Sequence, residues 1–334
     1  EFIELNHTAT SRNTFSKVAS VWKSTSNKQF IIYLDDDLSQ IMDDCKEFGI
    51  DPKKDIVMFS DIMKDGKLKW KENLEKLEEI EDNIEEEGIV TICYTSGTTG
   101  DPKGIMLSHL NYFSNCSDAM KYFNVAIGDR LYIILPLDHS FAHTVGIYAG
   151  LLRGLSLYFV DARAGGIQTV KNIPINLVEA NPHFILTVPA ITSNFMQKIK
   201  DGIAAKGALV NGIFNMGLKA GDRMFRNGYK QAPWPVKAAN IIQYKIADKM
   251  VFSKVRKIFG DSLRYCVGGG ALLDISQQVF FYSIGAPVFQ GYGLTEATPI
   301  ISANTPETHK LGSSGRVIPN IKCKILKSDG VEAK

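Results

Sequence analysis

The chain has 334 residues, of which 45% are apolar, 22% charged and 10% aromatic, a composition that excludes wholesale disorder, collagen-like repeats and a disulfide scaffold. Its 38 Lys and Arg against 36 Asp and Glu leave a net charge of +2, so no global attraction to nucleic acid or to an anionic membrane is expected. At about 150 residues per domain, this length suits one large domain or two smaller ones.

In chain order, a β-rich run at Phe30–Leu34 is followed by helical spacing over Ser39–Phe48 and a second run at Ile56–Phe59. Residues 71–87 carry nine acidic and two basic residues, with Leu74, Leu77, Ile80 and Ile84 at helical spacing, and predict a solvated helix. The run Ile89–Tyr94 reads as a buried strand, Asn111–Phe123 as a helix and Leu131–Leu135 as a strand. The most apolar stretch, His143–Val160, is broken by Arg153 before the roughly 20 residues of a spanning helix, so no transmembrane helix is predicted. Strands at Ser156–Val160 and Phe184–Val188 flank a helix over Ile167–Ala180. Residues 191–260 hold thirteen basic and three acidic residues, with irregular Gly/Asn/Pro-rich chain expected from Gly202 to Pro235 and a helix over Ala239–Phe259. That stretch reads as a surface insertion with a basic helix, or as a patch for a membrane or for CoA phosphates. Strands at Leu263–Val267 and Val288–Gln290 complete an alternation that predicts an α/β fold with largely parallel, buried sheets. The five cysteines are widely spaced and form no C-x-x-C pair, which fits a reducing cytoplasm and no zinc site.

The sharpest chemical signal is Tyr94-Thr95-Ser96-Gly97-Thr98-Thr99-Gly100-Asp101-Pro102-Lys103-Gly104, directly after the Ile89–Cys93 run. Its glycines let backbone N–H groups turn toward phosphate oxygens, its hydroxyls donate hydrogen bonds, and Lys103 supplies charge. The string is built for a polyphosphate. It is not a Walker A loop, because G-x-x-x-x-G-K-[ST] cannot be laid on it and no helix follows the lysine at once. In Gln290-Gly291-Tyr292-Gly293-Leu294-Thr295-Glu296, the Tyr292 ring between two glycines offers a face on which adenine could stack. Thr295 and Glu296 add a hydroxyl and a hard carboxylate suited to Mg²⁺. Gly268-Gly269-Gly270-Ala271 follows a strand run and lets backbone approach a flat ligand closely. Leu135-Pro136-Leu137-Asp138-His139-Ser140-Phe141 places His139 after a strand, with His143 four residues on along the same helix face and no third metal ligand beside them.

These strings together resemble the adenylate-forming superfamily, which includes acyl-CoA synthetases, luciferases and the adenylation domains of peptide synthetases. The resemblance implies a layered αβαβα large domain with two parallel-rich sheets sandwiched by helices. It also implies the site residues. Thr95, Ser96, Gly97, Thr98, Thr99, Gly100 and Lys103 would hold the β- and γ-phosphates of ATP. Gly269, Gly270, Ala271, Gln290, Gly291, Tyr292 and Gly293 would form the adenine site, Thr295 would contact the α-phosphate and Glu296 would hold Mg²⁺. His139 would lie near the acyl carboxylate and gate access to it. The segment Gly312-Ser313-Ser314-Gly315-Arg316 resembles the one that closes the family's large domain. In the family an aspartate for the ribose hydroxyls, a hinge and a small C-terminal domain follow, so residues 1–334 read as part of the large domain, beginning inside it and ending before the hinge. A chain of this extent is expected not to adenylate efficiently alone.

Asp248-Lys249-Met250-Val251-Phe252-Ser253-Lys254-Val255-Arg256-Lys257-Ile258-Phe259-Gly260 is similar to a segment of long-chain fatty acyl-CoA synthetases, and a basic insertion over residues 191–260 is typical of them. The resemblance therefore implies ATP, a long-chain fatty acid and CoA as partners, with peripheral membrane contact through residues 191–260. The alternatives are an adenylating enzyme for an aryl or amino acid that loads a carrier protein, and a non-catalytic nucleotide-binding module.

Overall fold

All eight β-rich runs form strands in the computed structural model, which describes residues 7–25, 28–95, 101–162, 165–328 and 330–332. The strands among them are β1 (His7–Thr10), β2 (Phe30–Tyr33), β3 (Ile56–Met58), β4 (Ile89–Thr95), β5 (Lys103–Ser108), β6 (Arg130–Ile133), β7 (Ser156–Phe159), β8 (Phe184–Thr187), β9 (Tyr265–Gly268), β10 (Val288–Gly293), β11 (Ile300–Ala303) and β12 (Arg316–Val317). Four of these, β1, β5, β11 and β12, were not expected from the sequence.

The chain divides into two units, Glu1–Ile84 and Glu85–Lys334. In the first, β1, β2 and β3 form a parallel sheet with β2 in the centre. The helix Arg12–Trp22 presents Phe15, Ala19 and Trp22 on one face, which joins Ile31 and Tyr33 of β2 in a closed apolar core. The acidic segment forms a helix over Leu74–Asp82, where Leu77 and Ile80 are 45% and 56% exposed.

The second unit is built on a seven-stranded sheet in the order β12-β11-β10-β9-β8-β6-β7, parallel from β10 to β7 and antiparallel at β11 and β12. Both faces of its parallel part are covered, which explains why its strands read as continuous apolar runs. Pairing sets side chains in rows. Tyr132, Ile185, Cys266 and Val288 form a row on one face, against the helices Pro189–Ala204, Ala208–Phe225 and Ile275–Ser283. On the other face Leu131, Phe184 and Tyr265 form one row and Ile133, Leu186, Val267 and Phe289 the next, against the helical segment Ala142–Leu152. At the strand starts, Arg264 grips the buried Asp129 carboxylate with two bonds of 2.7 and 3.0 Å, and the Ala126 N–H donates to it at 2.8 Å. His183 Nδ1 accepts from the Arg130 N–H at 2.9 Å, so its lone pair is used there and it stays neutral beside Asp129.

Two expectations are corrected. The run before the phosphate loop is not a buried strand: β4 pairs only with β5 among the described residues, in an antiparallel hairpin in which Ile89 is 57% exposed. Residues 202–235 are mostly helical, with Ala208–Phe225 forming eighteen residues of regular helix. The expectation of irregular chain rested on the Gly, Asn and Pro content of the stretch. Instead its glycines allow close packing: a Cβ on Gly217 would sit 2.2 Å from Ala247 Cβ and 2.7 Å from the Phe252 ring, and one on Gly221 would sit 2.9 Å from Ser283. Residues 191–260 are accordingly part of the core, through Ile199, Phe214, Ala247, Phe252 and Phe259. A paired substitution tests this. Gly212 lies in the same helix with nothing near its would-be Cβ, so Gly212→Ala should stabilise by up to ~1 kcal/mol through helix propensity. Gly217→Ala should destabilise, because ~1–3 kcal/mol of overpacking outweighs that gain. Chemical denaturation showing both variants equally stabilised would remove the close-packing role.

Candidate active site

The site lies where the parallel strands end, the crevice position expected for an open α/β sheet. From β10 the chain runs through Gly291, Tyr292 and Gly293 into a short 3₁₀ turn, Thr295–Ala297, and returns antiparallel along β11. The turn is tight because the Leu294 N–H donates to the Pro299 carbonyl at 2.9 Å across Gly293. A Cβ on Gly293 would lie 2.0 Å from that same oxygen, so only glycine fits. From β9 the chain passes through Gly269, whose N–H donates to Thr187 O at 3.2 Å, and the Phe141 ring packs on it closely enough that a Cβ would be 3.2 Å away.

From β6 the chain reaches His139, Ser140 and Phe141. His139 is exposed, and its Nδ1 accepts from the Phe141 N–H at 3.2 Å, which leaves the ring proton on Nε2. The buried Ser140 hydroxyl meets the Thr295 hydroxyl at 3.0 Å, joining two segments 155 residues apart. A cavity of about 100 Å³ opens between these loops, bordered by His139, Ser140, Gly268–Gly270 and Gly291–Gly293. It runs inward along the sheet between Val145 and Met120 on one side and Leu186, Val267, Phe184 and Tyr265 on the other. Its wall carries no Asp, Glu, Lys or Arg among the described residues.

The structure thus brings together Gly269, Gly270, Gly291, Tyr292, Gly293 and His139 on one cavity wall, with Thr295 one hydrogen bond behind it. Tyr292 is half exposed there, with its ring free to meet a ligand. Glu296 stands exposed on the 3₁₀ turn, its carboxylate unpaired among the described residues, and a hard oxygen donor of this kind fits Mg²⁺. Ala271 is exposed and lies off the cavity wall. Gln290 does not reach the cavity either: it is 4% exposed, and its Oε1 accepts from Leu273 N at 3.0 Å and Gln278 Nε2 at 3.1 Å. Thr95 and Lys103 face each other in register at the loop end of the β4–β5 hairpin. Ser96, Gly97, Thr98, Thr99 and Gly100 lie outside the described residues.

Sequence reasoning missed Asn115. Buried in the helix His109–Met120, it donates from Nδ2 to Ala297 O at 3.2 Å and Ile300 O at 2.8 Å and accepts from Ile300 N at 3.2 Å. One side chain therefore holds both sides of the Thr295–Glu296 turn. The available signal was an amide within the buried stripe of Tyr112, Cys116 and Ala119.

From residue 18 to residue 334 the sequence matches the AMP-binding enzyme family. The chain belongs to that family. It is 30% identical over 299 residues to the long-chain-fatty-acid–CoA ligase ACSBG2 of Xenopus laevis, covering 83% of this chain and 38% of the relative. It is 29% identical over 251 residues to long-chain-fatty-acid–CoA ligase 5 of Rattus norvegicus, covering 73% and 33%. The chain spans about a third to two fifths of the length of these AMP-binding relatives. Among solved structures, the anthranilate CoA ligase AuaEII in complex with anthranoyl-AMP aligns with a TM-score of 0.58 at 15% identity, over 99% of this chain and 49% of that one. The N-terminal domain of FACL13 from Mycobacterium tuberculosis aligns at 0.54 and 20% identity, over 98% and 67%. The mixed α/β architecture is that of AMP-binding large domains.

Proposed function

We propose that the protein activates a long-chain fatty acid with ATP and transfers the acyl group to CoA. The carboxylate oxygen attacks the α-phosphorus and the bond to pyrophosphate breaks, giving acyl-AMP. The CoA sulfur then attacks the acyl carbon, AMP leaves, and the thiol proton goes to solvent. Carboxylates are nucleophilic at neutral pH, so the residues need only align the reactants and neutralise phosphate charge. In this reading Tyr292 stacks on adenine beside Gly269, Gly270 and Ala271, with Gln290 bracing the adenine loop from within. Thr295 contacts the α-phosphate, and Thr95, Ser96, Thr98, Thr99 and Lys103 take the β- and γ-phosphates. Glu296 would hold Mg²⁺, which supplies positive charge to the phosphates. His139 at the cavity mouth meets the carboxylate.

The observation that carries the reading is the cavity itself, polar at its mouth and apolar inward, with no charged side chain among the described residues of its wall to match an amino-acid substrate. The 24% identity to a long-chain-fatty-acid–[acyl-carrier-protein] ligase of Arabidopsis thaliana, over 93% of this chain, supports a carrier protein as a second acceptor; it offers the same kind of thiol. Membrane contact through residues 191–260 is supported by Leu209, Trp234 and Ile242, all more than two-thirds exposed on that basic stretch. The protein should therefore float with anionic vesicles, and remaining in solution would remove that contact.

Thermal shift with non-hydrolysable acyl-AMP analogues tests the substrate. A ligand that binds only the folded state raises the melting temperature with its affinity. The palmitoyl analogue should stabilise more than the acetyl, aryl or aminoacyl ones, and an aryl or aminoacyl winner would replace the fatty acid while leaving the family intact. Glu296→Gln should weaken MgATP binding about tenfold, ~1.4 kcal/mol, and leave the metal-free acyl-AMP analogue unaffected.

A further inference from the structure

We infer that the Tyr265 ring limits the length of acyl chain the cavity accepts, and that chains longer than about ten carbons must displace it into a second hollow behind it. This rests on the acyl reading above. Gly269 at the cavity mouth, just past the end of β9, and Tyr265 at its inner end are four residues apart, about 13 Å at strand rise, the reach of about ten extended carbons. A palmitoyl chain of sixteen carbons is longer than that path, so its far end must pass Tyr265.

Tyr265 closes the inner end by edge and tilted contacts to Phe184 at 4.8 Å, Phe289 at 5.6 Å and Phe123 at 6.0 Å. Tyr265 also borders a second, more open hollow of about 590 Å³ with Tyr282, Phe289 and His309, and among the described residues it is the one that lines both spaces. The ring is 5% exposed, yet its hydroxyl has no hydrogen-bond partner. A phenylalanine would make the same ring contacts without stranding an O–H, so packing in this position does not account for the hydroxyl. The hollow offers it polar neighbours, Asn124, Glu307 and His309.

The test measures binding of octanoyl-AMP and palmitoyl-AMP analogues to the protein and to Tyr265→Leu, Tyr265→Trp and Tyr265→Phe. Tyr265→Leu should raise the palmitoyl-to-octanoyl affinity ratio at least tenfold, Tyr265→Trp should lower it by a similar factor, and Tyr265→Phe should lower it severalfold, because the displaced ring would no longer have a hydroxyl to offer the hollow's polar neighbours. Should Tyr265→Leu not fold, the tryptophan variant decides alone. An unchanged ratio in variants that still bind the octanoyl analogue overturns the inference. Failure of the fatty acid reading would show separately, as unmodified protein that binds an aryl analogue and neither acyl one.

Discussion

Gly293→Ala is expected to yield a folded protein that no longer holds an adenylate. The new methyl would lie 2.0 Å from Pro299 O and 2.8 Å from Pro299 C, backbone atoms that cannot rotate away. Relief requires opening the Leu294–Pro299 hydrogen bond, worth ~1 kcal/mol, on top of ~1–3 kcal/mol of overpacking. A loss of ~2–4 kcal/mol leaves most domains folded. The site has less tolerance. Tyr292, Thr295 and Glu296 sit on either side of the forced opening, and a displacement of about 1 Å costs on the order of 100-fold. Denaturant titration should show the modest loss, and thermal shift should show no stabilisation by any acyl-AMP analogue. Stabilisation equal to that of the unmodified protein would mean the tight turn does not set the site.

The second large effect is at the opposite end of the strands. Asp129→Ala removes an acceptor of three bonds, leaving the Ala126 N–H and the Arg264 guanidinium unanswered, and should cost ~3 kcal/mol, discounted from the fully buried case because the Arg264 side chain is 46% exposed. Exposed pairs such as Lys64–Asp61 and Lys69–Asp65 should each be worth less than ~1 kcal/mol. Acid should expose the same cluster in two stages. Burial lowers the His183 pKa, so on acidification the unfolded chain takes up that proton first, and stability falls as the pH drops below about 6.5. Burial works against ionisation of Asp129, but the Ala126 N–H and the Arg264 guanidinium outweigh it and hold the carboxyl below the usual range. Its contribution is complete above the unfolded carboxylate pKa of about 3.9 and is lost as the pH falls through the folded value. Unfolding free energies measured from pH 7 to pH 3 should show both stages. His183→Asn, which keeps an acceptor for the Arg130 N–H, should flatten the first alone; an unaltered slope between pH 7 and pH 5 would exclude His183 as its source.

The parallel sheet was legible because strands buried on both faces write continuous apolar runs, as at Phe184–Thr187. What stayed hidden depends on distant partners. The strand Lys103–Ser108 carries only the three-residue apolar run Ile105–Leu107 behind Lys103 and Gly104 and exists by pairing with β4, and Arg316–Val317 is two residues held by β11. Gly217 and Gly221 looked like interruptions, because a glycine that admits a neighbouring helix and one that ends a helix are the same letter. The site followed the same division. Tyr292, Gly269 and His139 occur in compact local strings and do line one cavity. The Gln290 string gave no sign that its side chain turns inward, and the Asn115 amide acts on residues some 180 positions away.

The paired rows of the sheet also work as a ruler with coarse graduations. Side chains return to the cavity face only at every second residue, about 6.6 Å apart, as from Tyr265 to Val267 or from Phe184 to Leu186. Clearing one row on this face therefore exposes the next about 6.6 Å further on, a gain of about five extended carbons. Descendants of this sequence could thus tune capacity finely by side-chain size within a row and coarsely by which row closes the cavity.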